Sequence, residues 1–170
     1  MQGEKMKHII VSILCIFLLA GCSAADIDKI TPVSKTVIQD DFELTITSSQ
    51  SKYSLKSLFD DEPLDIVATF TYIGPEEKID IWHASKIGAI SLYPESGSPR
   101  IGPDMNAEEI HTTLIRGESI TITSNFAHWF FKDKLFKGKY TAVVDINIAF
   151  DQNSSIDLTM SVDIPITINR

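Results

Sequence analysis

Apolar and polar residues alternate one for one through short segments along most of this chain, the period of a β-strand with one buried face. The last segment shows it most clearly. Ile156, Leu158, Met160, Val162, Ile164, Ile166 and Ile168 interleave with Asp157, Thr159, Ser161, Asp163, Pro165, Thr167 and Asn169. Phe42, Leu44 and Ile46 form a shorter copy. Leu64, Ile66, Ala68, Phe70 and Tyr72 share one face of a further segment, and Val67 and Ile73 on its other face predict a central strand. Ile79 and Ile81, then Ile87, Ile90 and Leu92, predict one or two short strands. Ile110, Thr112 and Leu114 alternate before the turn Arg116-Gly117-Glu118-Ser119, Ile120 and Ile122 after it, and Ala142, Val144, Ile146 and Ile148 follow Gly138-Lys139-Tyr140. Asp60-Asp61-Glu62-Pro63 and Gly74-Pro75-Glu76-Glu77 carry turn chemistry. Residues 94–109 hold Pro94, Gly97, Pro99, Gly102 and Pro103 and read as a long loop. Phe126, Trp129 and Phe130 fall at helical spacing, which predicts a short helical turn within 126–136. Seven or eight short strands with hardly any helix predict an all-β fold, a single antiparallel β-sandwich over residues 36–170.

The chain opens differently. An apolar run at 9–19 follows Lys5 and Lys7. A helix that spans a membrane needs about 17–25 apolar residues, whereas residues 9–21 supply thirteen. That length suits an exported signal. The run ends in Leu19-Ala20-Gly21-Cys22, which resembles the lipobox of bacterial lipoproteins. The resemblance implies that residues 1–21 are a signal peptide, that Cys22 carries diacylglycerol, and that the protein is anchored on the extracytoplasmic face of the cell membrane. Glu4 is a departure within the basic opening, and translation from Met6 would leave the more usual Met6-Lys7-His8. Ser23 after the cysteine would permit outer-membrane sorting in a Gram-negative host, so the type of envelope stays open. Residues 22–35 are small, polar or charged around Pro32 and read as a lipidated tether. As a flexible coil it reaches about 20 Å.

Removing residues 1–21 leaves 149 residues and, by losing Lys5, Lys7 and Glu4, takes the net charge from -8 to -9. Such a chain has no general attraction for nucleic acid or an anionic bilayer, and self-repulsion favours a soluble monomer. Cys15 leaves with the signal and Cys22 is lipidated, so no disulfide is available in an oxidising space. The core has to hold the domain alone, which this length allows.

Leu135, Gly138 and Tyr140 resemble the tyrosine corner of immunoglobulin-like folds, in which a tyrosine near the start of a late strand hydrogen-bonds back across the corner. Trp82 falls near the third strand, where such folds often bury a tryptophan, but a bulge is needed to bring it into phase with Ile79. The order of features is also similar to a group of uncharacterised Gram-positive lipoproteins and, more remotely, to the intracellular proteinase inhibitor family of bacilli. Four stretches carry it: Phe42-Glu43-Leu44-Thr45-Ile46; Tyr72-Ile73-Gly74 with Ile79-Asp80-Ile81-Trp82-His83; Leu114-Ile115-Arg116-Gly117-Glu118; and Gly138-Lys139-Tyr140-Thr141. The inhibitor family's Asp and Gly before a Val-Trp pair are absent.

Candidate chemistry is sparse. His83, His111 and His128 are scattered without the close spacing of zinc or copper ligands. Asp60-Asp61-Glu62 lacks the alternating oxygens of a calcium loop. Ser49-Gln50-Ser51-Lys52 matches S-x-x-K, but S-D-N and K-T-G are missing. Asp145 and Asp163 lie on neighbouring strands of a face alternating with Thr and Ser, which reads as solvated surface. The sequence therefore predicts no enzyme, no cofactor and no metal site. Two stretches are left to carry function. In residues 126–140 four phenylalanines and Trp129 interleave with Lys132, Lys134, Lys137 and Lys139, either as an aromatic plug with solvated lysines or as a docking surface that includes Trp129, Phe130, Lys132 and Lys134. Ser98-Pro99-Arg100-Ile101-Gly102 presents Arg100 in a proline-stiffened loop. The expected function is non-enzymatic binding of an envelope protein or polymer, with protease inhibition through the loop around Arg100 as the alternative.

Overall fold

The computed structural model describes residues 31–59, 64–104, 108–126, 135–152 and 154–169. Among these residues nine strands form two sheets. Four belong to the first: β1 (Val33–Gln39), β2 (Phe42–Ser48), β4 (Asp65–Tyr72) and β7 (Ser119–Asn125), in the order β1-β2-β4-β7. The second has the order β3-β9-β8-β5-β6, from β3 (Lys52–Ser54), β5 (Lys78–Pro94), β6 (Ile110–Ile115), β8 (Gly138–Ala149) and β9 (Leu158–Asn169). Helix among the described residues is confined to one turn, α1 (Leu55–Phe59). The fold is thus an all-β sandwich of two sheets.

Alternation builds it directly. Along β9 buried residues alternate with outward ones, Leu158, Met160, Val162, Ile164, Ile166 and Ile168 facing in. Ala142, Val144, Ile146 and Ile148 of β8 do the same beside them. The opposing sheet supplies Phe42, Leu44 and Ile46 from β2 and Ile66, Ala68, Phe70 and Tyr72 from β4, and these residues make one continuous core. Phe42 sits at the centre of an aromatic group. Its ring lies parallel to Phe70 at 5.2 Å and to Phe150 at 6.2 Å, with Tyr72 tilted against it at 5.5 Å.

Four details differ from the sequence pattern. Among the described residues the strands number nine instead of seven or eight. Strand β1 begins at Val33 and takes in residues assigned to the tether. It is an edge strand whose inward contacts come only from Val33 and Val37, so its period is faint. The sandwich is not wholly antiparallel, because β3 runs parallel to β9 with Tyr53 beside Ile168. Three residues are too few to display a period. Finally, residues 78–94 form one long strand, interrupted where His83 pairs with Ile148 but Gly88 pairs with Ile146. Five steps along β5 thus match two along β8, a wide bulge that resets the phase. Gly88 closes it, since a Cβ there would lie 2.4 Å from Ile146 Cδ1 and 2.9 Å from the backbone oxygen of Asp145. The shift falls after Trp82, so Ile81 points into the core and Trp82 stays half-buried against His111. The expected signal peptide, and residues 127–134 of the helical turn predicted within 126–136, lie outside the described residues.

Candidate binding cleft

The long loop and residues 136–140 of the aromatic and basic stretch lie against each other. The long loop is tied down. Beyond β5, Glu95 N donates to Lys139 O at 3.0 Å, joining the loop to the start of β8. Ile101 then returns to β5, exchanging hydrogen bonds with Leu92 at 2.7 and 2.9 Å, and buries its side chain. Gly102 permits this approach, because a Cβ there would lie 2.5 Å from Ser91 Oγ. Arg100 donates to Ser91 Oγ at 3.0 Å and to Pro103 O at 3.2 Å, and reaches Asp104 Oδ1 at 3.4 Å.

Across from this loop, the Tyr140 hydroxyl donates to Phe136 O at 2.7 Å and accepts from Phe136 N at 2.9 Å. The pair of bonds folds residues 136–140 into a corner and turns Phe136 outward, 63% exposed, while Leu135 and Phe126 pack into the core. Tyr140→Phe removes one donor and one acceptor from a part-buried backbone and is expected to destabilise the domain by about 1–3 kcal/mol. In urea the midpoint should fall while the slope stays unchanged.

Between loop and corner lies a cleft of about 430 Å³ lined by Pro94, Pro99, Arg100, Phe136, Lys137 and Lys139, among others. Arg100, Lys137, Lys139 and Glu95 share this lining, so cations outnumber carboxylates there on a chain of net charge -8. The walls are largely apolar and the rim is charged, an arrangement that suits ligand binding. Of the residues proposed from sequence, Arg100 lines this cleft. Cys22, Trp129, Phe130, Lys132 and Lys134 lie outside the described residues. Pro99 comes from the same candidate stretch, and the structure adds Pro94 and Glu95, which the sequence pattern places only in a long loop.

His128 lies outside the described residues, and His83 and His111 are each engaged by their surroundings. His83 Nδ1 faces the carbonyl of Ala84, which can only accept, so that nitrogen carries the proton, and Nε2 meets Thr112 Oγ1 at 2.8 Å. His111 Nε2 lies 3.3 Å from Asp80 Oδ1, its ring 4.8 Å from that of Trp82. The Thr113 hydroxyl donates to Asp80 and, with His111 and Lys78 nearby, holds its carboxyl below the usual carboxylate value. Among the described residues no three His, Cys, Asp or Glu side chains converge on a metal-sized position. Asp163 stands opposite Val143 and Asp145 opposite Ser161 on the outer face, and Asp163 pairs with Lys35 at 2.6 Å. No protein-family model matches the chain, and no curated protein matches it.

Proposed function

We propose that the chain is a lipid-anchored, non-enzymatic domain of the cell envelope, tethered through Cys22 and binding an acidic envelope component in the cleft between the long loop and the Tyr140 corner. We further assign the sandwich to the immunoglobulin-like class. Support comes from the short early strand lying parallel to the last one, from the sheet order, and from the Tyr140 hydroxyl bound to backbone four residues upstream. The observation that carries the binding reading is the meeting of Arg100, Phe136, Lys137 and Lys139 around one cleft in an otherwise acidic protein.

Exposed lysines here contribute by steering and by charge pairing, each about 1 kcal/mol toward an anionic surface. Phe136→Ala combined with Lys137→Gln and Lys139→Gln is expected to lower retention on an anionic cell-wall polymer about tenfold or more, and added salt should lower the wild type toward the same value. Equal retention of wild type and variant would sink the cleft as the binding surface.

Inhibition of a protease through Arg100 is the second reading, favoured by the rigidity that the Leu92–Ile101 bridge gives the loop. Against it, the guanidinium is held by Ser91, Pro103 and Asp104, whereas a reactive-site side chain has to extend into the protease. The purified protein at micromolar concentration is therefore expected to leave trypsin-like proteases uninhibited in a chromogenic assay.

A further inference from the structure

Along one side of the sandwich two strands are left open next to each other. β7 pairs with β4 on one side, and among the described residues no strand pairs with its other side. β5 is open as well. β6 follows it only over residues 78–83 and Ile101 reaches only Leu92, so residues 84–91 have no described strand partner on that side. The two strands approach at Gly88, where a Cβ would lie 3.0 Å from Ile122 Cδ1. Both line a cleft of about 360 Å³, with Lys86, Ile87, Gly88, Thr121, Ile122 and Pro103 in its walls.

Natural edge strands are usually blunted by lysine, proline, bulges or shortness, because their unpaired N–H and C=O groups accept any extended chain. β1 carries Lys35 in an ion pair, and β3 has three residues. β7 has none of these devices. It reads Ser-Ile-Thr-Ile-Thr-Ser-Asn, uncharged, without proline or glycine, and its register with β4 is continuous over seven pairs. Thr121 and Thr123 are exposed on it, while Ile122 turns inward.

We propose that β7 is a strand-addition site, which takes one extended segment of a partner protein as an extra strand beside it, over the cleft shared with β5. Backbone hydrogen bonds supply the affinity and alternate side chains supply the choice of segment. The segment is β-branched and free of proline, with a carboxylate for Lys86, which among the described residues is the one charged residue lining this cleft. A second copy of the chain is a poor occupant, since at net charge -8 two copies repel.

The test uses the full chain in detergent micelles and a pool of capped heptapeptides with Val, Ile or Thr at alternate positions and one Glu. Binding is read by fluorescence polarisation and located by hydrogen exchange. The proposal predicts new protection at Ser119–Asn125. It also predicts that N-methylating alternate amides on one peptide edge lowers affinity about tenfold or more while methylating the opposite edge does not, because only one edge faces β7. Thr121→Glu with Thr123→Glu, both exposed positions, should repel the peptide carboxylate and lower affinity to a similar extent while the melting curve is kept. No binding up to about 1 mM peptide, equal effects of the two methylations, protection elsewhere than β7, or dimerisation of the peptide-free chain by sedimentation would each overturn it.

Discussion

Replacing Phe70 by alanine is expected to destabilise the domain by about 3–5 kcal/mol, the range for a large aromatic removed from a packed core. Phe70 is 0% exposed, on β4 and opposite Leu44 of β2. Its ring stacks on Phe42, whose other neighbours are Tyr72 and Phe150 from the loop after β8. The cavity would therefore open beneath a group of rings held from both sheets, where neighbours cannot collapse into it without losing their own contacts. A single domain of this size is usually stable by about 5–15 kcal/mol, so the variant should unfold at much lower urea and show a loosened near-ultraviolet circular dichroism signal. A loss below about 1 kcal/mol would mean that the two sheets are not packed as described.

The parts of the fold legible in the sequence are those where one face is buried and the other wet. β2 and β9 alternate without a fault, and β4 and β8 do so along most of their length, so their inward residues can be read by eye. β1 is obscure because an edge strand needs only Val33 and Val37 inward. β5 is misread as one or two strands because the extra residues between His83 and Gly88 reset the phase in mid-strand. The glycine that permits it is visible in the sequence, but the Ile146 contact that requires it is not. β3 is held by its parallel partner β9 and has no local signal of its own.

The candidate cleft was half legible. Arg100 in its proline-rich loop and the lysines near Tyr140 each stand out locally. That they share one cleft depends on Glu95 bonding to Lys139 and on Ile101 returning to Leu92, contacts between segments distant in sequence. Likewise, Arg100 looks like a free cation until Ser91, Pro103 and Asp104 are placed around it. The strand-addition edge of β7 left only a negative trace in the sequence, the absence of charge and proline from residues 119–125.

Attachment to the membrane through Cys22 is the claim on which the proposed function turns, and its removal is expected to have the largest effect in the cell. Two acyl chains bury many methylene groups at about 0.8 kcal/mol each, which makes a stable anchor. The chain's net charge of -8 gives no general pull toward anionic lipid, and among the described residues no helix is long and apolar enough to cross a membrane. The decisive measurement is fractionation of cells that express wild type or Cys22→Ser, with the membrane pellet washed in high salt. Wild type should stay in the pellet until detergent releases it, and Cys22→Ser should appear in the soluble extracytoplasmic fraction. A Cys22→Ser variant that still sediments with washed membranes would contradict a lipid anchor at Cys22.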